Sequence, residues 1–322
     1  MSTATTMQSF VEHFLDERHR LGFASRSMGY ALRSFATHVD AQALTGPLRI
    51  EVMASWARCP KNASDDPRTW ARRLKILRPF ARWFRQFEPG TAVPDSSIFG
   101  RVGQRLAPHI YTEQEIAALL AAAHRLRPPL RGATYETLFG LLAATGLRLS
   151  EAVHLLDRDV DLQAGLLQVR RTKFAKSRQV PIHPTTLAAL RRYATLRDRE
   201  VATTQEAPFF VGTRGRRHGR MPSLRQVDRV FQQLREQLGW VNRGAHATPR
   251  VHDLRHTFVV RRILRWQGEG VDIDQQMLAL STYVGHANVT NTYWYLSAVP
   301  ELLARAAARF EPLMGNTEVD HV

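Results

Sequence analysis

The chain of 322 residues is long enough for two domains, each with a core of its own. Its hydrophobic share of 44% is that of a globular protein, whereas a formal net charge of +16 points to a polyanionic partner. The single cysteine, Cys59, excludes a disulfide framework and a cysteine-rich zinc site, and no apolar run approaches the ~18 residues of a membrane span. Only four of the 45 basic residues are lysine (Lys61, Lys75, Lys173 and Lys176). The rest are arginine, whose planar fork grips phosphate oxygens two at a time. The opening stretch MSTATTMQSFVEHFLDERHR spreads charges among its apolar residues, unlike a signal peptide, so a cytoplasmic protein with no membrane partner is expected.

In chain order, Phe10, Val11, Phe14 and Leu15 form one helical stripe, and Met28, Leu32, Phe35 and Val39 a second. Ile50 to Ala57 predicts a short third helix. A fourth, from Arg68 to Phe87, carries Trp70, Leu74, Leu77, Phe80, Phe84 and Phe87 on one face. Another of its faces carries Arg68, Arg72, Lys75, Arg78, Arg82 and Arg85, with no acid in between, and is predicted to lie along nucleic-acid phosphates. Pro79, lacking a donor, is expected to kink or split this helix. From Glu88 to Pro108 the chain turns to prolines, glycines, Asp95, Ser96 and Ser97, which is linker chemistry. The expected division is a helical domain over 1–100, a linker over 101–109 and a second domain over 110–322.

The second domain opens with Thr112 and Glu115 at the spacing of a capping box, ahead of Ile116, Leu119 and Leu120. A helix through Leu138 to Ala144 should stop at Gly146. Leu166 to Arg171 and Gln179 to Ile182 read as two strands around a basic turn, and Ser223 opens a helix through Val227, Phe231 and Leu234. The fold class is therefore mainly α with a small β-sheet.

Four stretches carry candidate chemistry. TGLRLSEAVHL sets Arg148 at a turn between helices, where it can project into a cleft. VRRTKFAKSRQVPIH puts Lys173 at a hairpin tip, with Lys176 nearby; unlike arginine, a lysine has a proton that can leave. RVHDLRHTF spaces His252 and Arg255 by one helical turn, although the same spacing recurs at His124 and Arg127. In GHANVTNTYWYL, a helix running from Val289 brings Val289, Tyr293 and Leu296 within roughly 60° of one another. Tyr293 is then expected in the core, with Tyr295 pointing elsewhere.

Taken in order, TGLR-LSE, a lysine hairpin, HDLRH and a G-H followed nine residues later by tyrosine resemble the tyrosine recombinase (phage integrase) family. The resemblance covers the second domain, and the basic first domain is similar to the family's SAM-like helical core-binding domain. It implies a tyrosine recombinase catalytic domain whose site residues are Arg148, Lys173, His252, Arg255, His286 and Tyr295. Lys173 is preferred to Lys176 by the wording of the turn. The implied reaction is Tyr295 attack on a phosphodiester, with the arginines holding the phosphate, His252 helping to deprotonate the tyrosine, His286 bonding the phosphate and Lys173 protonating the leaving 5′-hydroxyl. A covalent 3′-phosphotyrosine preserves the bond energy for rejoining, and no metal or cofactor is implied. The implied partners are double-stranded DNA, a homotetramer on that DNA and accessory recombination proteins, with a cytoplasmic, nucleoid-associated location. The wording of the last motif is closer to a mobile-element integrase than to a chromosome-dimer resolvase. Ser297 stands where many members have histidine, and Val284 where leucine is common; neither position performs the chemistry. The stripe Leu302, Leu303, Ala306, Phe310 and Leu313 is suited to docking on a neighbouring protomer or to packing at home. Competing readings are a non-catalytic DNA-binding protein of this fold, a type IB topoisomerase-like enzyme and a metal-dependent transposase.

Overall fold

The computed structural model describes residues 6–23, 26–59, 64–100, 103, 105–170 and 177–298. The chain divides between Arg105 and Leu106 into two units, a split that falls within the expected linker.

The first unit is built from α1 (Met7–Arg20), α2 (Arg26–Asp40), α3 (Ile50–Arg58) and α4 (Pro67–Phe84). Thr6 caps α1, and the Asp40 carboxylate at the end of α2 accepts from the Met7 and Gln8 amides at 2.8 and 3.1 Å. Val11, Phe14, Leu32, Phe35, Leu74, Leu77, Phe80 and Phe84 fill the core. Of the two outcomes expected of Pro79, the split does not occur: α4 is continuous through it. Leu74 and Leu77 before the proline, and Phe80, Ala81 and Phe84 after it, are all buried on one face. Packing of that face outweighs the ~3 kcal/mol that an interior proline costs. The helix stops at Phe84, short of Phe87, whose ring leaves the helix and rests 5.1 Å from that of Phe10.

The stretch after α4 closes the first unit. Thr91 is buried, and Ala92, Val93, Ile98 and Phe99 pack against the core, so residues from Glu88 to Phe99 belong to the first unit. Two of the six basic residues of the expected basic face hold this stretch down: Arg78 Nε donates to the Pro94 carbonyl at 2.5 Å and Arg85 Nε, just past the end of α4, to that of Thr91 at 2.8 Å. Arg68, Arg72, Lys75 and Arg82 are exposed.

The second unit begins with α5 (Glu113–His124), whose capping box is formed by Thr112 and Glu115. It continues through α6 (Pro129–Thr145), the short α7 (Leu149–Val153) and an antiparallel sheet in the order β1 (Val160–Asp161), β2 (Leu166–Val169), β3 (Arg178–Pro181). Leu167 and Val180 pair across β2 and β3, and both face the core. The expected hairpin is present, with β2 ending at Val169 and β3 shifted one residue towards the turn, but its turn, with Lys173 and Lys176, lies outside the described residues. Next come α8 (Pro184–Glu200) and α9 (Leu224–Leu238), the latter capped by Ser223. The last three helices among the described residues, α10 (Asp253–Gly268), α11 (Ile273–Val284) and α12 (Thr290–Ala298), enclose a smaller core of Val259, Val260, Ile263, Met277, Leu280 and Val284. Among the described residues no helix is long and apolar enough to cross a membrane. The expected tail stripe from Leu302 to Leu313 also lies outside them.

Gly146 ends α6 at φ +63°, and a Cβ there would sit 2.6 Å from Phe258 Cδ1 on α10. Gly146→Ala is expected to lower the stability of this unit by about 1–3 kcal/mol from backbone strain alone, measured by urea unfolding.

Candidate active site

The turn after Gly146 delivers Arg148 to the start of α7. Its backbone amide donates to Glu151 Oε2 at 3.0 Å, its Nη1 to Glu151 Oε1 at 2.7 Å, and its Nη2 to the Gly285 carbonyl at 2.8 Å. Arg178, from β3, reaches the same places. It donates to Glu151 Oε2 at 2.8 Å and to the Tyr283 and Val284 carbonyls at 2.8 and 3.2 Å. Burial alone would raise the Glu151 carboxyl; the bonds and charges of Arg178 and then Arg148 overcome this and hold it below the usual glutamate range. Gly285, in the left-handed region at φ +72°, turns the chain from α11 towards His286; a Cβ there would strike the Arg178 guanidinium.

Arg255 enters from the first turn of α10 and is only 3% exposed. Its Nη1 donates to the Gly146 carbonyl at 2.7 Å, whereas its buried Nη2 has no hydrogen-bond partner among the described residues. Burial and then the nearby charge of Arg148 lower its pKa to about 10, which leaves it charged at neutral pH. An unanswered donor on a buried guanidinium is costly, and an anionic oxygen is the group that answers it.

The two tyrosines exchange the places expected of them. Tyr295 is 2% exposed and belongs to the core between α10, α11 and α12. Tyr293 lies nearer the surface, with its hydroxyl donating to Asp274 at 2.9 Å. The helix starts at Thr290 rather than Val289, and its buried face is set by Thr292 with Tyr295 one turn on. A threonine is invisible to a search for apolar stripes. Thr292 is buried because its hydroxyl meets His286 Nδ1 at 2.7 Å.

Around Tyr295 stand three imidazoles. His286 lies nearly parallel to its ring, with centroids 6.4 Å apart. The hydroxyl of Tyr295 is 2.6 Å from Nδ1 of His256, a residue given no role in the sequence reading, and not hydrogen-bonded there to His252. His256 meets His252 edge-on at 4.8 Å. His252 keeps an exposed edge. Even so, desolvation, followed by the charges of Arg255 and Arg250, holds its pKa below the ordinary value. His256 is pushed down further, by burial first and then by His252, Arg250 and Arg255. Both imidazoles are therefore neutral. His256 was legible in one respect: it follows His252 by four residues in HDLRH, on the same helical face.

The structure thus brings together Arg148, His252, Arg255, His286 and Tyr295, adds His256, and leaves Lys173 outside the described residues. His124 is apart from this cluster, hydrogen-bonded at the surface to Glu136. Beside Arg148 opens a cleft of about 750 Å³ whose mixed lining includes Arg158, Arg170, Glu151, Asp159, Leu155 and Val169.

A buried tyrosine among cations and neutral imidazoles is the equipment of nucleophilic attack on an anionic ester. The model of the phage integrase family matches residues 110–301. A putative integrase/recombinase of Sinorhizobium fredii, y4rB, is 36% identical over 312 residues, covering 95% of this chain and 98% of the relative. The tyrosine recombinase XerA of Thermococcus kodakarensis is 33% identical over 215 residues, 66% of this chain and 67% of the relative. Among solved structures, the Tn1549 transposon integrase in complex with transposon right end DNA shares the fold at a TM-score of 0.65 and 17% identity, covering 96% and 99% of the two chains. The chain belongs to the phage integrase family, the tyrosine recombinases. Members of that family are site-specific recombinases that cleave and rejoin DNA strands through a covalent phosphotyrosine.

Proposed function

We propose that this recombinase acts for a mobile element, with Tyr295 as its nucleophile, Arg148 and Arg255 as the clamp on the scissile phosphate and His286 as a further donor to that phosphate. The observation that carries this reading is the buried Nη2 of Arg255, which has no hydrogen-bond partner among the described residues, on a charged guanidinium within electrostatic reach of the buried Tyr295. A phosphodiester gains negative charge on its non-bridging oxygens as the attack proceeds, and donors fixed in advance stabilise it most. Lys173 would supply the proton to the leaving 5′-oxygen. His252, at the rim of the cluster, would lend an N–H donor to the phosphate rather than meet the tyrosine. Double-stranded DNA would also lie against the exposed Arg68, Arg72, Lys75 and Arg82 of α4, which have the charge to track its backbone. Exchange of strands between two duplexes needs four tyrosines, so the working assembly would be a homotetramer on DNA, with accessory recombination proteins as further partners and the cytoplasm, at the nucleoid, as its place of action. The mobile-element reading is supported by the S. fredii integrase relatives and the transposon integrase likeness.

The test is covalent trapping. Nicked DNA that loses its leaving strand is incubated with the wild type, Tyr295→Phe and Tyr293→Phe, with divalent ions chelated throughout. A detergent-stable protein–DNA adduct is expected from the wild type and Tyr293→Phe and not from Tyr295→Phe. An adduct that persists in Tyr295→Phe, or that requires magnesium, would sink this reading.

A further inference from the structure

The attack needs a place for the phenolic proton, and His252 is not the residue against it. Arg255 and His256 are consecutive on α10, about 100° apart around the helix axis. The first reaches the Gly146 turn and the second meets Tyr295 from α12. The 2.6 Å separation and the neutral state of the ring leave His256 with one imidazole lone pair and one N–H. With the lone pair at Nδ1, the hydroxyl donates to it, and the ring lies 5.5 Å from the phenol ring, tilted by 54°.

From these contacts we infer that His256 is a catalytic residue: it takes the proton of the Tyr295 hydroxyl during strand cleavage and returns it on rejoining. The inference rests on Tyr295 being the nucleophile. In cleavage the Tyr295 Oη–P bond forms, the phenolic proton passes to His256 Nδ1, the P–O5′ bond breaks, and O5′ leaves with a proton from Lys173. Rejoining runs the same transfers backwards.

The charges around the ring give this transfer a condition. The cations Arg250 and Arg255, with His252 and His286 close by, disfavour a proton on His256 while the site is empty of DNA. A phosphate held between Arg148 and Arg255 brings the opposite charge to the same spot and offsets them. The base therefore gains strength when the substrate is in place.

The experiment compares His256→Gln, which keeps a polar side chain of similar size, with His252→Gln and the wild type. Each is made with tyrosine and with a site-specifically incorporated fluorotyrosine at position 295, whose phenol is more acidic. Single-turnover adduct formation on the nicked DNA is measured at saturating protein, with DNA affinity and thermal melting measured alongside. His256→Gln is expected to bind DNA and melt like the wild type but to form the adduct about 10²-fold more slowly, within the usual range for loss of a general base. Fluorotyrosine is expected to shrink that deficit, because a more acidic phenol needs less help. A deficit that fluorotyrosine leaves unchanged would mean that His256 only packs against the tyrosine, and overturns the inference. So would a His256→Gln rate within a few-fold of the wild type, or a fluorotyrosine rescue confined to His252→Gln. An adduct from Tyr295→Phe would instead overturn the choice of nucleophile, which keeps the two failures distinct.

Discussion

Arg255→Lys is expected to slow adduct formation by about 10²–10³-fold, the usual loss when one fixed donor to a developing oxyanion is removed. The guanidinium has two ends with separate tasks here: Nη1 holds the Gly146 carbonyl at 2.7 Å, and Nη2 is unpaired among the described residues. A lysine brings one nitrogen to that place and cannot serve the turn and the phosphate in the same geometry. DNA affinity should change little, because binding draws on many phosphate contacts along the duplex. The measurement is single-turnover trapping on nicked DNA, with binding followed separately by anisotropy. A variant that cleaves within tenfold of the wild type would remove Arg255 from the clamp.

Glu151→Ala is expected to destabilise the second unit by about 3 kcal/mol, the lower end of the range for breaking a buried ion pair because Arg148 remains partly exposed. Glu151 is 6% exposed and takes charge from Arg148 and Arg178 together. Its removal leaves two cations facing one another with no anion between them. The acid dependence has a definite sign. The carboxyl is held below its ordinary value of 4.5 in the folded protein. Its stabilisation is therefore complete above that value and is lost as the pH falls through the depressed folded pKa. Urea unfolding of the wild type and of Glu151→Gln should accordingly differ most near neutral pH and converge in acid. A gap that widens in acid would contradict the assignment.

The order of motifs made Arg148, His252, Arg255, His286 and Tyr295 legible before any coordinates, because each is a residue type that phosphate chemistry requires, at a turn or on one helical face. The apolar stripes located α1 to α4 for the same reason: a buried face leaves its period in the sequence. What escaped was decided by packing and by polar partners. The face of α12 was misread because Thr292, an alcohol, occupies a core position and is satisfied there by His286. Pro79 was expected to kink or split α4 because its local cost is plain in the sequence, while the core that keeps the helix continuous on both sides of it is not. His256 stood in full view in HDLRH, but its meaning depends on a tyrosine 39 residues away, and only the fold brings the two within 2.6 Å.

The grip of Arg178 on the end of α11 bears on how such enzymes can be re-engineered. Arg178 stands five residues after Lys173 in the chain, at the base of the hairpin arm that returns to the sheet. It is bolted to the carbonyls of Tyr283 and Val284 and to Glu151. The hairpin is therefore not a free module. A chimera that imports the hairpin of a relative without the matching α7 acid and the glycine at 285 would inherit an anchor with nothing to hold. Transplants between relatives should be cut so that the hairpin, the α7 turn and the end of α11 travel as one piece.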